Sequence, residues 1–596
     1  MAFHHAFLSL PGEVRDNIYL HYFQVGGGYA YDAKCDKLKT WDNQPIELSL
    51  LYTCRTIAQE ARHLPLSLNT IEFKTLYQPK LNNLAGCFNL VTSTYQHLQS
   101  ELVMLLESVG ALNLEIHNQL ALDFPDFRSR LNFTVRPYQR AHERHLEDPS
   151  HIGEGVMTDS ELLERDIDPS VNTLRQLRST LGWQTQDALA INASIYSSIG
   201  FYRGFSRIRR PWFSDHLWWS NSFWEAEKTL SSALNLLATH KPADFTRQIY
   251  TNFPQWVPSY PASEFLSLRF EHWAIPSPAE VKHAMDLLAI GDCWDLPGMW
   301  HEARACCIGD NGDEIGFGQR PHPHPPVVSG VRCREKIRFS AVANAIQFLE
   351  TRLSHKQRLE IRNLVLHEDL PSVNQPSAHA QGLAKFYHEN PNLIVERRVN
   401  LIGCVLPALA SPTYVAERCR DPEACLDEVP ISPRWMRSRI TQWLQDALAV
   451  TGVGIPSGSF TLVLQAGSYK DYFADQFQNQ IQTEIAWQRA FKRLNPEYPF
   501  DSPRGTNYNV IQNLMIQEKE IEALQTLGNM TSPILRSDFN TGVALEFDTI
   551  VNQTSHLRDF GWMREWYAAT LMSIEQPIHK LDYNTRLLEN FEIQMG

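Results

Sequence analysis

The stretch FLSLPGEVRDNIYLHYF, residues 7–23, constrains this chain more than any other, because it writes out a helix start, one helix face and a helix stop. Pro11 suits a first helical position, where a missing N–H costs nothing, and Glu13 sets a carboxylate on the electropositive first turn. Leu10, Val14, Ile18 and Tyr22 recur at four-residue spacing and form an apolar stripe. Gly26, Gly27 and Gly28 end it. Residues 24–44 alternate like a short hairpin. Pro45 is expected to open a second helix, on which Leu50, Cys54, Ile57, Ala61 and Leu64 form a seam that would pack against the first stripe. Asn69 to Phe73 is extended, with Ile71 and Phe73 on one face.

At Leu10-Pro11, Glu13, Arg15, Ile18-Tyr19, Thr53-Cys54-Arg55, Glu60-Ala61, Asn69 and Phe73 the chain resembles the F-box-like N-terminal motif of many filamentous-fungal proteins. The resemblance covers roughly the first 75 residues. A second stretch is similar to a segment that recurs in the same kind of protein: IRFSAVANAIQFLETRLSHKQRLEIRNLVLHED followed by GLAKFYHENPNLIVERRVNL, within Ile337 to Asn400. The resemblance implies a compact helical unit that docks onto the Skp-type adaptor of a cullin ubiquitin ligase. Leu10, Pro11, Val14 and Ile18 would lie nearest that partner, and the rest of the chain would hold a substrate protein. The insertion at 24–44 departs from the compact version of the motif. The alternative is that both helices form a core with the following strand.

Length and charge set outer bounds. A chain of 596 residues exceeds what one core usually serves. Four parts are expected: an F-box-like motif at 1–75; a mainly helical region at 76–255 with a charged loop at 140–172; an α/β unit at 256–468; and a helical C-terminal region at 469–596. The fold class is α+β, predominantly helical. A net charge of −13 disfavours a general nucleic-acid binder, since phosphate contacts need a cationic surface. The most apolar run, Leu401 to Ala410, is too short to cross a bilayer, and the N-terminus lacks a basic leader, so neither membrane nor secretory signal is expected. Ten cysteines without a C-x-x-C pair fit a reducing cytoplasm or nucleus.

Along the chain, 81–120 reads as a helix leading into a short strand at Leu112 to Ile116, and 140–172 as a surface loop with a short helix at Ser160 to Arg165. Arg207, Arg209 and Arg210 precede Trp212, Phe213, Trp218, Trp219, Phe223 and Trp224. Interleaved cations and rings can stack on bases, but Leu230, Leu234 and Leu237 continue a helical core face, the stronger account. Prolines at 254, 258, 261, 276 and 278 mark a boundary, a helix follows at Ala279 to Ile290, and GDNGDEIGFGQRPHPHPPVVSGV reads wholly as loop. Then helix and strand alternate: a helix through Val342 to Leu353, a strand at Ile361 to Leu366, a helix at Gln381 to Glu389, a strand at Leu393 to Cys404, a helix at Trp435 to Val450 and a strand at Ser459 to Leu464. The spacing drifts, so a solenoid is not expected. From Tyr472 onward the chain reads as mostly helical.

Catalytic and metal signatures are weak. The glycine runs at 26–28 and 451–459 lack the Lys-Ser/Thr of a phosphate loop, and no cofactor is expected. His301, Cys306, Cys307, His322 and His324 cluster in sequence, but adjacent cysteines chelate poorly, and Cys419 with Cys425 is weaker still. Asp123 with Asp126 and Asp166 with Asp168 sit among polar residues that would leave them solvated. His367, Glu368 and Asp369 end a strand, a position where sites form. The leading expectation is therefore a non-enzymatic interaction protein. The alternative is an enzyme or ligand binder with a pocket in the 256–468 unit.

Overall fold

The structure, a computed structural model, describes residues 7–131 and 223–595 apart from isolated positions and the stretches 289–293, 305–326, 406–414, 421–432, 497–515 and 572–587. It is an α+β protein built on a mixed sheet. Among the described residues seven strands make that sheet, in the order β2-β1-β3-β6-β7-β8-β9. These are β1 (Tyr29–Asp32), β2 (Lys37–Thr40), β3 (Ile71–Lys74), β6 (Asn363–Glu368), β7 (Ile394–Asn400), β8 (Phe460–Gln465) and β9 (Leu535–Ser537). β2 runs antiparallel to β1 in a hairpin, as the alternation at 24–44 predicts. From β1 to β9 every pairing is parallel and follows chain order. A sheet that adds each parallel strand on the same side puts its right-handed crossovers on one face.

That face is the main core. Phe73, Leu366, Val395, Val399 and Leu462 point into it, against Ile346 and Leu349 of a helix at Ala341–Arg352 and Leu444 of a helix at Pro433–Leu448. The two helices begin at Ser340 and at Pro433; Ser340 accepts a hydrogen bond from Ala343 N at 3.0 Å, a true N-cap. The sequence reading of alternating helices and strands holds here with trimmed ends. The strand at 393–404 stops at Asn400, where Leu401–Val405 coils into a short π-helix, and the helix at 381–389 is a 3₁₀ segment, Pro376–Leu383, followed by a helix at Ala384–Glu389.

A second core gathers on a long helix, Asn82–Ser108, about 40 Å at 1.5 Å per residue. The helix Phe223–His240 lies against it through Leu230, Leu234 and Leu237, all buried as their spacing predicts. The strand expected at Leu112 to Ile116 is instead the start of a helix, Leu114–Asp123. Asn113 caps it by accepting from Ile116 N at 3.0 Å, and Glu115 sits in the first turn. A capping signal outweighed a short apolar run.

Two further corrections concern strands. The VVSGV end of the supposed loop belongs to β5 (Val327–Glu335), which pairs with β4 (His301–Arg304) and β10 (Phe591–Met595) in a second, three-stranded sheet. The C-terminal region is not purely helical, since it supplies β9 and β10. β9 is three residues long, too short to show a period, and β10 forms only because a partner strand lies beside it. The short helix expected at Ser160 to Arg165, and Arg207 to Trp219 of the aromatic stretch, lie outside the described residues. No described helix is long and apolar enough to cross a membrane.

Candidate functional site

The N-terminal unit is built from α1 (Gly12–Phe23), a 3₁₀ turn at Ser49–Tyr52, α2 (Arg55–Ala61) and α3 (Leu64–Leu68). Pro11 is the residue before α1, not its first helical residue. The second helix does not open at Pro45, which sits extended in a bridge with Lys39. It is broken into three. Cys54 is extended (φ −158°), and Pro65 in the first turn of α3 cannot continue α2, because its ring would clash with the preceding turn.

This broken path decides which side of α1 faces inward. Tyr19 and Phe23 are buried with Ile57 and Ala61 in a small separate core. Arg15 grips Glu60 through two hydrogen bonds, Nε to Oε2 at 3.1 Å and Nη2 to Oε1 at 2.6 Å, while Tyr19 donates to Glu60 Oε2 at 2.8 Å. The Arg15 guanidinium and the Tyr19 hydroxyl hold the Glu60 carboxyl below its usual range, and burial with the Glu60 contact lifts Tyr19 to about 12. Arg15 Nη1 also donates to the Leu10 carbonyl at 2.6 Å, which ties the lead-in turn to α1.

Asn69 closes the unit. Its buried amide donates to the Phe23 and Pro65 carbonyls at 2.8 and 2.9 Å and accepts from Val25 N at 2.8 Å. Gly28 follows at φ +70°, its α-carbon so close to the Thr70 carbonyl that a Cβ would lie 2.3 Å from the oxygen, so this turn admits only glycine. The residues of the F-box-like resemblance thus divide: Arg15, Tyr19, Glu60, Ala61 and Asn69 hold the unit together, Phe73 joins the main core, and others point out.

The outward set is the stripe. Val14 is 41 %, Ile18 39 % and Tyr22 39 % exposed; Pro11 is exposed and Leu10 half-buried. The seam expected to cover this stripe packs instead on Tyr19 and Phe23. Tyr22 is anchored at its hydroxyl by Glu47 at 3.3 Å and Ser49 at 3.2 Å, with exposed Tyr52 on the same 3₁₀ turn as Ser49.

The strand-end residues have a different fate. Glu368 is buried and paired to Arg397, also buried, at 2.6 Å. His367 lies on the opposite face of β6, 3.4 Å from Glu72, its pKa lowered by burial against the pull of that carboxylate. Asp369 accepts from the Thr75 hydroxyl. These three side chains do not converge. Nearby lies a pair that sequence reading missed: Ser340 Oγ is 2.6 Å from His379 Nδ1, and His379 Nε2 is 2.6 Å from the Asn374 carbonyl. A carbonyl only accepts, so Nε2 carries the proton and Ser340 donates to Nδ1. A serine donating to histidine is the arrangement of an activated nucleophile, but Ser340 is 0 % and His379 1 % exposed, sealed from any substrate. The group is a joint: Asn374, left-handed at φ 62°, also bonds Asn89 and Thr92 of the long helix.

A cleft lined by Thr92, Tyr95, Gln99, Glu227, Arg269 and Phe270 is no larger than a single water needs. Burial raises the Glu227 carboxyl, but His272 and Arg269, each 3.2 Å from Oε1, outweigh it and hold the pKa below the usual range. Among the described residues no three His, Cys, Asp or Glu are grouped to hold a metal. His301 lies on β4, Asp123 ends its helix and Cys419 is half-buried, while Cys306, Cys307, His322, His324, Cys425, Asp126, Asp166 and Asp168 lie outside the described residues. Of the aromatic stretch, the Trp224 ring packs at 6.2 Å from Trp273 and the Trp224 backbone N–H donates to Asp446 Oδ1 at 3.4 Å, a structural use.

No family model, curated protein or solved structure matches the chain.

Proposed function

We propose that this chain is an F-box-like interaction protein: α1 docks a Skp-type adaptor of a cullin ubiquitin ligase, and the α+β body holds a partner protein. The observation that carries the reading is the exposure of Val14 and Ile18 on a helix whose opposite side is locked by Tyr19, Phe23 and the Arg15–Glu60 pair. A stripe of apolar side chains left in water by a rigid helix loses apolar area to any partner groove that covers it, worth about 25 cal/mol per Å² buried. Rigidity matters because a preordered helix spends little entropy on docking.

The test is binding of the full-length chain to a purified Skp-type adaptor by calorimetry. Val14→Asp with Ile18→Asp places two charges on the stripe without touching the inward face. The wild type is expected to form a complex and the double variant to lose it at unchanged melting temperature. Failure of the wild type to bind removes the reading.

A further inference from the structure

Parallel sheets are ordinarily covered on both faces, and their strands then read as continuous apolar runs. β7 and β8 do not. Their residues alternate between buried and half-exposed, so one face of this sheet meets solvent. In-register pairing lines up Lys74, His367, Arg398, Val463 and Arg536 straight across β3, β6, β7, β8 and β9. Lys74 and Arg536 are exposed and make no ion pair among the described residues; Arg398 is one-third exposed, with Glu396 at 2.5 Å. One row toward the strand starts lie Glu72 and Glu396, and at the other end Asp369 and Asp538, the latter 3.6 Å from the exposed Lys470 amine. The face is therefore a basic band between acidic margins.

We propose that this sheet face binds an acidic, extended segment of another protein. Neighbouring strands are about 4.8 Å apart, so Lys74, Arg398 and Arg536, each two strands from the next, stand about 10 Å apart. An extended chain in the polyproline-II conformation has three residues per turn and advances about 3.1 Å per residue, so carboxylates at every third residue share one side about 9 Å apart and meet the three cations in turn. A uniformly anionic polymer fits worse, because the acidic margins repel charge that strays from the band. This goes beyond adaptor docking and supplies a chemistry for the partner that the body would hold.

The experiment titrates a fluorescent peptide with glutamate at every third residue onto the full-length chain at low ionic strength. Comparators are a peptide with the same glutamates bunched together, one with lysines instead, and a single-stranded oligonucleotide. Expected are binding of the spaced peptide, weakening by added salt, and a loss of about tenfold or more in Lys74→Glu with Arg536→Glu. Lys74→Ala with Arg536→Ala repeats the measurement without charge reversal, and both positions are exposed, so the fold tolerates either pair. No binding of the spaced peptide, equal binding by both variants, equal binding of the bunched or lysine peptides, or tighter binding of the oligonucleotide overturns the proposal. The Val14→Asp, Ile18→Asp chain keeps peptide binding and the Lys74, Arg536 variants keep adaptor binding, so failure of one reading is distinguishable from failure of the other.

Discussion

Arg397 and Glu368, on adjacent parallel strands, meet at 2.6 Å with each side chain 1 % exposed. Arg397 also donates to the carbonyls of Ser377 and Pro376 at 3.0 and 2.5 Å and stacks 4.7 Å from the Trp443 ring centre. Glu368 Oε2 accepts from Ala341 N at 3.1 Å, at the electropositive start of a helix. One ion pair thus fastens two strands, a helix start and the 3₁₀ segment to one another.

Removing one partner strands the other charge in the interior. Glu368→Ala is expected to destabilise the protein by about 3–5 kcal/mol in urea denaturation. Glu368→Leu with Arg397→Met leaves no bare charge and should cost less than either single change. A Glu368→Ala chain as stable as the wild type would show that the pair does not hold this region.

The His379 imidazole predicts a pH dependence. Burial, then the Arg397 charge, pushes its pKa well below 6.5, because a proton on this ring would be stranded. The unfolded chain takes up that proton near pH 6.5 and the folded chain does not, so stability is full above 6.5 and falls as pH drops toward the folded pKa. Each such group contributes a slope of about 1.4 kcal/mol per pH unit, and His367 acts in the same direction. Denaturation curves at several pH values should show a shallower slope in His379→Gln by about that amount; an identical slope would assign the dependence elsewhere.

Asn69 predicts a local effect. Asn69→Ala leaves the Phe23 and Pro65 carbonyls and Val25 N without their buried partner, costing about 1–3 kcal/mol. Asn69→Asp is expected to be worse, since a carboxylate has no proton to give two carbonyls. Hydrogen exchange should quicken in α1 and the 24–44 hairpin before the sheet; uniform acceleration would place the role of Asn69 elsewhere.

Local signals were legible where period and punctuation agreed. Val342, Ala345, Ile346 and Leu349 announce a helix, and Leu364, Leu366, Val395 and Val399 lie on strands where the apolar runs put them. Asn113 and Glu115 carried a helix start that the apolar run Leu112 to Ile116 masked. The basic band was hidden in plain letters: ERRVN gives no polar-apolar alternation, since Arg397 is turned inward and Arg398 outward, and only strands brought in register from far along the chain align Arg398 with Lys74 and Arg536.

The sequence by itself determined the strongly periodic elements, among them the helix through Val342 to Leu349 and the strands of Leu364 and Val395, and that Val14, Ile18 and Tyr22 share a side of α1, because spacing along a chain dictates direction around a helix axis. Only the tertiary structure decided that this side stays in water. α1 has apolar groups on two sides, and burial of Tyr19 and Phe23 follows from contacts such as Arg15 with Glu60, 45 residues away. The same holds for the sheet, where Thr75 meets Asp369 across 294 residues. Periodicity records which residues lie together on a face; what that face meets depends on segments that no local pattern contains.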